Sequence, residues 1–176
     1  MRKVFCLMGI LDDGDVEWLA KNGATQFMPS GKALINEGKP IENIYVVLEG
    51  KLSVAVRGIG DREIAALLAG EIVGEMSFVD SRPPSASVTA SQDSYLLVIP
   101  RAVLNSKLRT DDAFAARFYR AIATLLADRL RKTTSYLGYG NWIENTDPDE
   151  LDEPLMDSAS SGATRFDRLL KQLRIH

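Results

Sequence analysis

The stretch GEMSFVDSRPPSASVTA, residues 74–90, carries the side chains of this sequence best suited to chemistry. Gly74 allows close approach to the backbone, and Glu75 follows it with a carboxylate. Ser85, Ala86 and Ser87 add small residues and hydroxyls, the composition of a loop that wraps an anion with backbone N–H groups. Such a loop calls for a cation, yet the chain there reads Pro83-Pro84. Proline brings neither charge nor N–H. The loop is therefore either an altered anion cradle or an empty one, and the nearest cation is Arg82.

Most other chemistry is excluded by what the chain lacks. Cys6 is the only cysteine and His176 the only histidine. Disulfides, thiolate-rich zinc sites and almost all histidine-based catalysis fall away with them. No pair of carboxylates stands at a suggestive spacing, so a non-enzyme without a required cofactor is expected. The 176 residues, 45% hydrophobic and 26% charged, suit one globular domain with an appended element. A formal net charge of −3 argues against nucleic acid as a direct partner, because neutralising phosphates takes a basic face. No run reaches the roughly 18 apolar residues of a membrane span. The start, MRKVFCLMGILDDGD, meets acids at Asp12 and Asp13 without a small-residue cleavage site, and reads as the lead-in to a first helix. A cytoplasmic protein is expected.

These residues need a frame. DDGDVEWLAKN, about residues 12–22, places Val16, Leu19 and Ala20 on one helical face, with Asp12 or Asp13 as N-cap and Gly23 beyond the end. From 25 to 99, short β-rich runs alternate with glycine, and evenly spaced short strands imply an antiparallel barrel or jelly roll. Glu49-Gly50 reads as a hairpin turn between two strand-like halves, and Gly58-Ile59-Gly60-Asp61 as a second. Pro100 opens a short helix, and Thr110 or Asp111 caps a long one over 111–137. Its stripe of Phe114, Phe118, Ile122, Leu125, Leu126, Leu130 and Leu137 runs roughly 40 Å, more than one small barrel needs to cover its side. A homodimer is expected through the surplus.

The glycine joints Gly31, Gly38, Gly50, Gly70 and Gly74, between a short helix and a long one, resemble the cyclic nucleotide-binding domain. That family includes protein kinase A regulatory subunits and the bacterial catabolite activator protein; the resemblance covers about residues 10–137. It implies a mainly β fold with flanking helices, an eight-stranded antiparallel jelly roll, and a cyclic nucleotide ligand, cAMP or cGMP. The family's cassette resembles G-E-x-A-L-x(n)-R-A-A/T, in which the Glu meets a ribose hydroxyl and the Arg meets the cyclic phosphate. Carried over position by position, the implied ligand set is Gly74, Glu75, Met76, Ser77, Arg82, Ser85 and Ala86. Pro84 stands at the arginine position. Losing one partner of a buried charge pair costs about 2–5 kcal/mol, or roughly 30-fold to several-thousand-fold in affinity, so weak binding is expected.

The division follows: 1–137 a jelly roll with its helices, 138–162 an acidic linker, and 163–176 a short basic amphipathic helix able to dock on this domain or on a protein partner. Too little chain follows Leu137 for a winged helix, so direct DNA binding is not expected. Each site residue also has a plain reading. Glu75 could cap its helix or pair with Arg82, Arg82 reads first as a solvated loop residue, and Ser85 and Ser87 read first as turn and strand residues. Two functions survive: a sensor of a cyclic nucleotide or related nucleotide, favoured by Glu75, and a ligand-free interaction module that keeps the fold, favoured by Pro84.

Overall fold

Two strands of this chain, NIYVVLE and SYLLVIP, are apolar without alternation, the pattern of strands covered on both faces. The computed structural model, which describes residues 6–57, 63–136 and 153–175, shows what covers them. Eight strands run β1 (Ala24–Met28), β2 (Ala33–Ile35), β3 (Asn43–Glu49), β4 (Lys51–Ala55), β5 (Glu63–Leu68), β6 (Ile72–Val73), β7 (Ser87–Ala90) and β8 (Ser94–Pro100). They form two four-stranded sheets, ordered β1-β8-β3-β6 and β2-β7-β4-β5, with every pairing antiparallel. Tyr45, Val47 and Leu96 pack between the sheets with Leu52, Leu67 and Val88. Ile44, Val46, Leu97 and Ile99 face the other way, onto helices. The expected jelly roll is present.

Glu49-Gly50 is a correction to the expected hairpin. β3 lies in one sheet and β4 in the other, so the turn is a corner at which the chain changes sheets. Gly50 has φ +93, and a Cβ there would stand 2.3 Å from Ser94 Oγ and 2.5 Å from the Asp93 carbonyl. Only glycine lets the corner press against the start of β8. The expected turn at Gly58-Ile59-Gly60-Asp61 lies outside the described residues; the strands on either side of it, β4 and β5, pair from Lys51↔Leu68 to Ala55↔Glu63.

The helical layer comprises α1 (Cys6–Ile10), α2 (Asp13–Asn22), α4 (Arg101–Thr110), α5 (Asp112–Tyr136) and α6 (Glu153–Leu173), while the six-residue α3 (Glu75–Asp80) sits between β6 and β7. Asp12 caps α2 in a reciprocal box with Asp15, at 2.8 and 2.9 Å. Arg117 of α5 then grips this capped end, reaching Asp15 at 2.6 and 2.8 Å and Asp12 at 2.9 Å. Burial opposes the charge on Asp15, but the Arg117 guanidinium and the Asp12 amide outweigh it and hold the carboxyl below the usual range. At the start of α5 Asp111 accepts from the Phe114 amide at 2.9 Å, and Phe114 stacks on Phe118.

The tail differs from expectation in length, and of the two expected docking partners it takes its own domain. α6 begins at Glu153 rather than at 163, with Pro154 in the first turn, where a missing N–H costs nothing. The segment read as linker therefore supplies the first half of this helix. Phe166 and Leu169 are buried in the chain's own core, and Leu170 and Leu173 pack against it. Arg165 donates to Asp13 at 2.6 Å and to the carbonyls of Met8 and Gly9, while Arg168 reaches Asp13 at 2.8 Å. The apolar face that could have met a foreign protein is used at home.

Hydrogen bonds from Arg165 and Arg168 hold the Asp13 carboxyl below the ordinary aspartate range. A carboxylate lowered by folding stabilises fully above its unfolded pKa of about 3.9, and that support is lost as pH falls through the lowered value. Amide exchange over residues 164–173 should therefore accelerate in acid ahead of exchange in β3 and β8. Asp13→Asn should show the same loosening at neutral pH. Equal protection of α6 in wild type and Asp13→Asn would refute this anchoring.

Candidate functional site

Glu75 is the residue around which the site is built. β6 delivers the chain to Gly74, whose φ of +90 and ψ of 5 turn it into α3. A Cβ at Gly74 would lie 2.8 Å from Ile41 Cδ1 and 3.3 Å from the Asn43 carbonyl, so both the dihedral and the space demand glycine. Glu75, the first helical residue, is turned inward with its side chain 3% exposed. Its carboxylate Oε1 accepts from Nη1 of Arg129, and the same guanidinium donates through Nη2 to the Ile72 carbonyl at 2.9 Å. One arginine of α5 thus holds both the acid at the start of α3 and the strand that leads into it.

α3 is otherwise anchored by Phe78, whose ring meets Phe118 of α5 edge-on at 5.9 Å. The helix ends at Ser81, in the left-handed region with φ 58, and its N–H returns to the Ser77 carbonyl. The loop that follows is fixed by its backbone. The Pro84 carbonyl accepts from Gly38 N–H at 2.8 Å. Ser87 Oγ accepts from Glu37 N–H at 3.1 Å, and the Glu37 carboxylate accepts from Arg57 N–H at 3.0 Å. A two-proline segment, the Gly38 bond to Pro84 and the Glu37 bond to Ser87 at the start of β7 leave the loop with a set shape.

Residues 25–111 match the family described as the cyclic nucleotide-binding domain. The N-terminal domain of a transcriptional regulator from Streptomyces coelicolor is 31% identical, with 74% of this chain and 91% of that one covered and a TM-score of 0.60. A cyclic nucleotide-binding domain from Methylobacillus flagellatus is 26% identical over 81% of this chain and 76% of its own, with a TM-score of 0.67. The cyclic AMP receptor protein of Thermus thermophilus is 34% identical over 59% of this chain and 47% of its length. This chain belongs to the cyclic nucleotide-binding domain family. It spans less than half of the length of the curated relatives it matches, 36% and 47% of two of them.

In this cyclic nucleotide-binding domain the seven residues singled out from sequence are dispersed in their surroundings. Glu75 and Ser77 are buried on the inner side of α3, Gly74 is half-buried, and Met76 faces outward. Ala86 is half-buried and Ser85 exposed. Arg82 does not pair with Glu75: its side chain is 84% exposed, and its Nε lies 3.9 Å from Asp80. The cation beside Glu75 is Arg129, which sequence reasoning missed. A signal for it existed, because Arg129 follows Phe118, Ile122 and Leu125 at helical spacings of 11, 7 and 4 and so interrupts the apolar stripe with a charge.

A buried carboxylate deprived of its counter-ion is left uncompensated, which typically costs about 3–5 kcal/mol. Arg129→Met should therefore destabilise the domain by that order in urea unfolding. Adding Glu75→Gln to Arg129→Met should recover a large share of the loss, because a neutral amide no longer needs the cation. Strictly additive losses in this double-mutant cycle would mean that the two side chains do not act as a pair.

Proposed function

We propose that this domain is a regulatory sensor whose site receives a cyclic nucleotide, with Glu75 accepting from a ribose hydroxyl and Arg129 offering charge to the ligand. The observation that carries this reading is the buried Glu75, set at the start of α3 and held by an arginine from α5. A buried ion pair is seldom worth more to stability than apolar residues of the same volume. Its presence at the family's ribose-binding position is better explained by a ligand than by the fold. A cyclic phosphate brought beside Glu75 competes for the guanidinium, and sharing or releasing it alters the restraint on α5. Cyclic AMP and cyclic GMP are the ligands the family suggests, and the similarity to the cyclic AMP receptor protein of Thermus thermophilus supports the first.

Binding is weak in this reading. Pro84 offers a carbonyl, already used by Gly38, and the only other cation of the loop, Arg82, lies in solvent. The same observation favours a second reading, in which the domain binds no nucleotide and serves as an interaction module. Isothermal calorimetry with cyclic AMP and cyclic GMP separates the two. Sensing predicts measurable heat at high ligand concentration, loss of that heat in Glu75→Ala, and a gain of roughly 30-fold or more in Pro84→Arg, the worth of a restored charge pair. No binding at millimolar nucleotide by either wild type or Pro84→Arg would leave the interaction module standing.

A two-fold dimer through α5 completes the proposal, with the participating residues revised by burial. Ile122 is enclosed by the chain's own core, whereas Tyr119 and Leu130 remain outside, Leu130 with 63% of its surface exposed. Exposed apolar residues along a long helix suit a second copy of the same helix. Sedimentation equilibrium at tens of micromolar protein should show a dimer, and Leu130→Asp should shift it toward monomer. A monomeric wild type contradicts the assembly without touching the nucleotide reading.

A further inference from the structure

Arg101, the first residue of α4, belongs to none of the ligand positions, yet it contacts the cassette helix, the loop before β3 and α4 at once. Its backbone N–H donates to the Glu42 carbonyl at 2.9 Å. Its guanidinium donates to the Ile41 carbonyl at 3.2 Å and to the Ser77 carbonyl at 2.9 Å. The charge also lies over the Phe78 ring, 5.6 Å from its centroid. A single planar fork therefore joins the segment between β2 and β3 to α3, with the stem fixed in the first turn of α4.

We infer that Arg101 is the positioning residue of α3, setting where Glu75 lies by holding the middle of the helix at Ser77 and Phe78. Six residues are too few for a self-supporting helix. Gly74 supplies no side-chain cap, and Ser81 closes the helix in a conformation unfavourable for a residue with a Cβ. α3 therefore depends on outside anchors, and Arg101 fits that need in charge as well as reach. The Ser77 carbonyl is the first of the last four carbonyls of α3 and points toward its negative C-terminal end, where a guanidinium is favoured. The second bond, to Ile41, fixes the residue whose Cδ1 abuts Gly74, so the start and the middle of α3 answer to the same side chain. Because Arg101 opens α4, which leads through the Asp111 cap into α5, a shift of α3 acts on the helix that carries Arg129.

The inference rests on the proposed sensing only for its consequence, and one set of variants separates the two. Amide exchange in the full chain without added nucleotide reads α3 directly. Arg101→Met keeps much of the stem and removes every guanidinium donor; it should raise exchange over residues 77–81 about ten- to a hundred-fold, the loss expected for a charged hydrogen bond, with β3 and β8 unchanged. Arg101→Lys, which keeps charge but cannot fork to two carbonyls, should fall between, and it serves if the Met variant fails to fold. Unchanged α3 exchange, or an equal rise across β3 and β8, overturns the positioning role. Where wild type binds cyclic AMP, Arg101→Met should weaken binding by a similar factor. Where wild type binds none, the sensing proposal fails while the exchange of α3 still decides Arg101.

Discussion

Placing a carboxylate inside a protein commits the surroundings to it. Moving one ion out of water costs several kcal/mol even after relaxation, and only a close, well-aligned counter-charge offsets that. Glu75 imposes this requirement at a point where its own loop supplies no buried cation. The counter-charge has to arrive from elsewhere, and α5 is the element long enough to bring it. Arg129 does so while also binding the Ile72 carbonyl, so the ion pair fixes the start of α3 against the strand before it. Gly74 follows from the same demand: a side chain there would collide with Ile41 and push the helix, and Glu75 with it, out of line.

The position of α5 is in turn fixed by charge at its other half. Arg117 closes on Asp15 and Asp12 at the capped start of α2, and Asp13 in the same turn takes Arg165 and Arg168 of α6. One acidic helix start therefore joins two helices that are far apart in sequence. Clustered carboxylates are favourable at a helix N-terminus because the unpaired N–H groups and the helix dipole are positive there. The three arginines then add charge balance to what capping alone would leave strongly negative. On the same helix, Phe114, Phe118 and Ile122 belong to the apolar core that covers the outer face of β3 and β8. Specific polar contacts set the register of α5, and burial supplies most of its stability.

The jelly roll was legible because its signals are local. Glycine at forced corners, unbroken apolar runs in two central strands, and a capped helix on each flank are all properties of a few neighbouring residues. What was not legible depended on distance in sequence. Glu49-Gly50 looks like a hairpin because a tight turn has the same composition whether its strands pair or part, and only the partnering of β3 with β8 distinguishes them. The glutamate of the site could be named from its glycine neighbour, but its partner lies 54 residues away and carries no local mark beyond a charge on an apolar face. The start of α6 reads as linker because Ser, Ala and Gly are common to linkers and to helices alike. Its amphipathic pattern announces docking, but the choice of α1 and α2 as the docking surface is a tertiary fact with no sequence motif.

Pro84 then takes a different meaning from the one a loop comparison suggests. Replacing an arginine with proline removes charge, but the loop here keeps a defined backbone, with the Pro84 carbonyl on Gly38 and Ser87 on Glu37. Proline narrows the conformations available to the unfolded loop, so holding that shape costs less entropy than it would with a freer residue. In the proposed reading shape and charge are thus separated, shape remaining with the loop and charge residing on α5. A loop arginine binds phosphate without involving the helix, whereas a helix arginine already engaged with Glu75 must divide itself between protein and ligand. In the proposed reading this lowers affinity and strengthens coupling, because the energy that opposes binding is the restraint on α5. A sensor built this way responds at higher ligand concentration, and each binding event acts directly on the element that would report it.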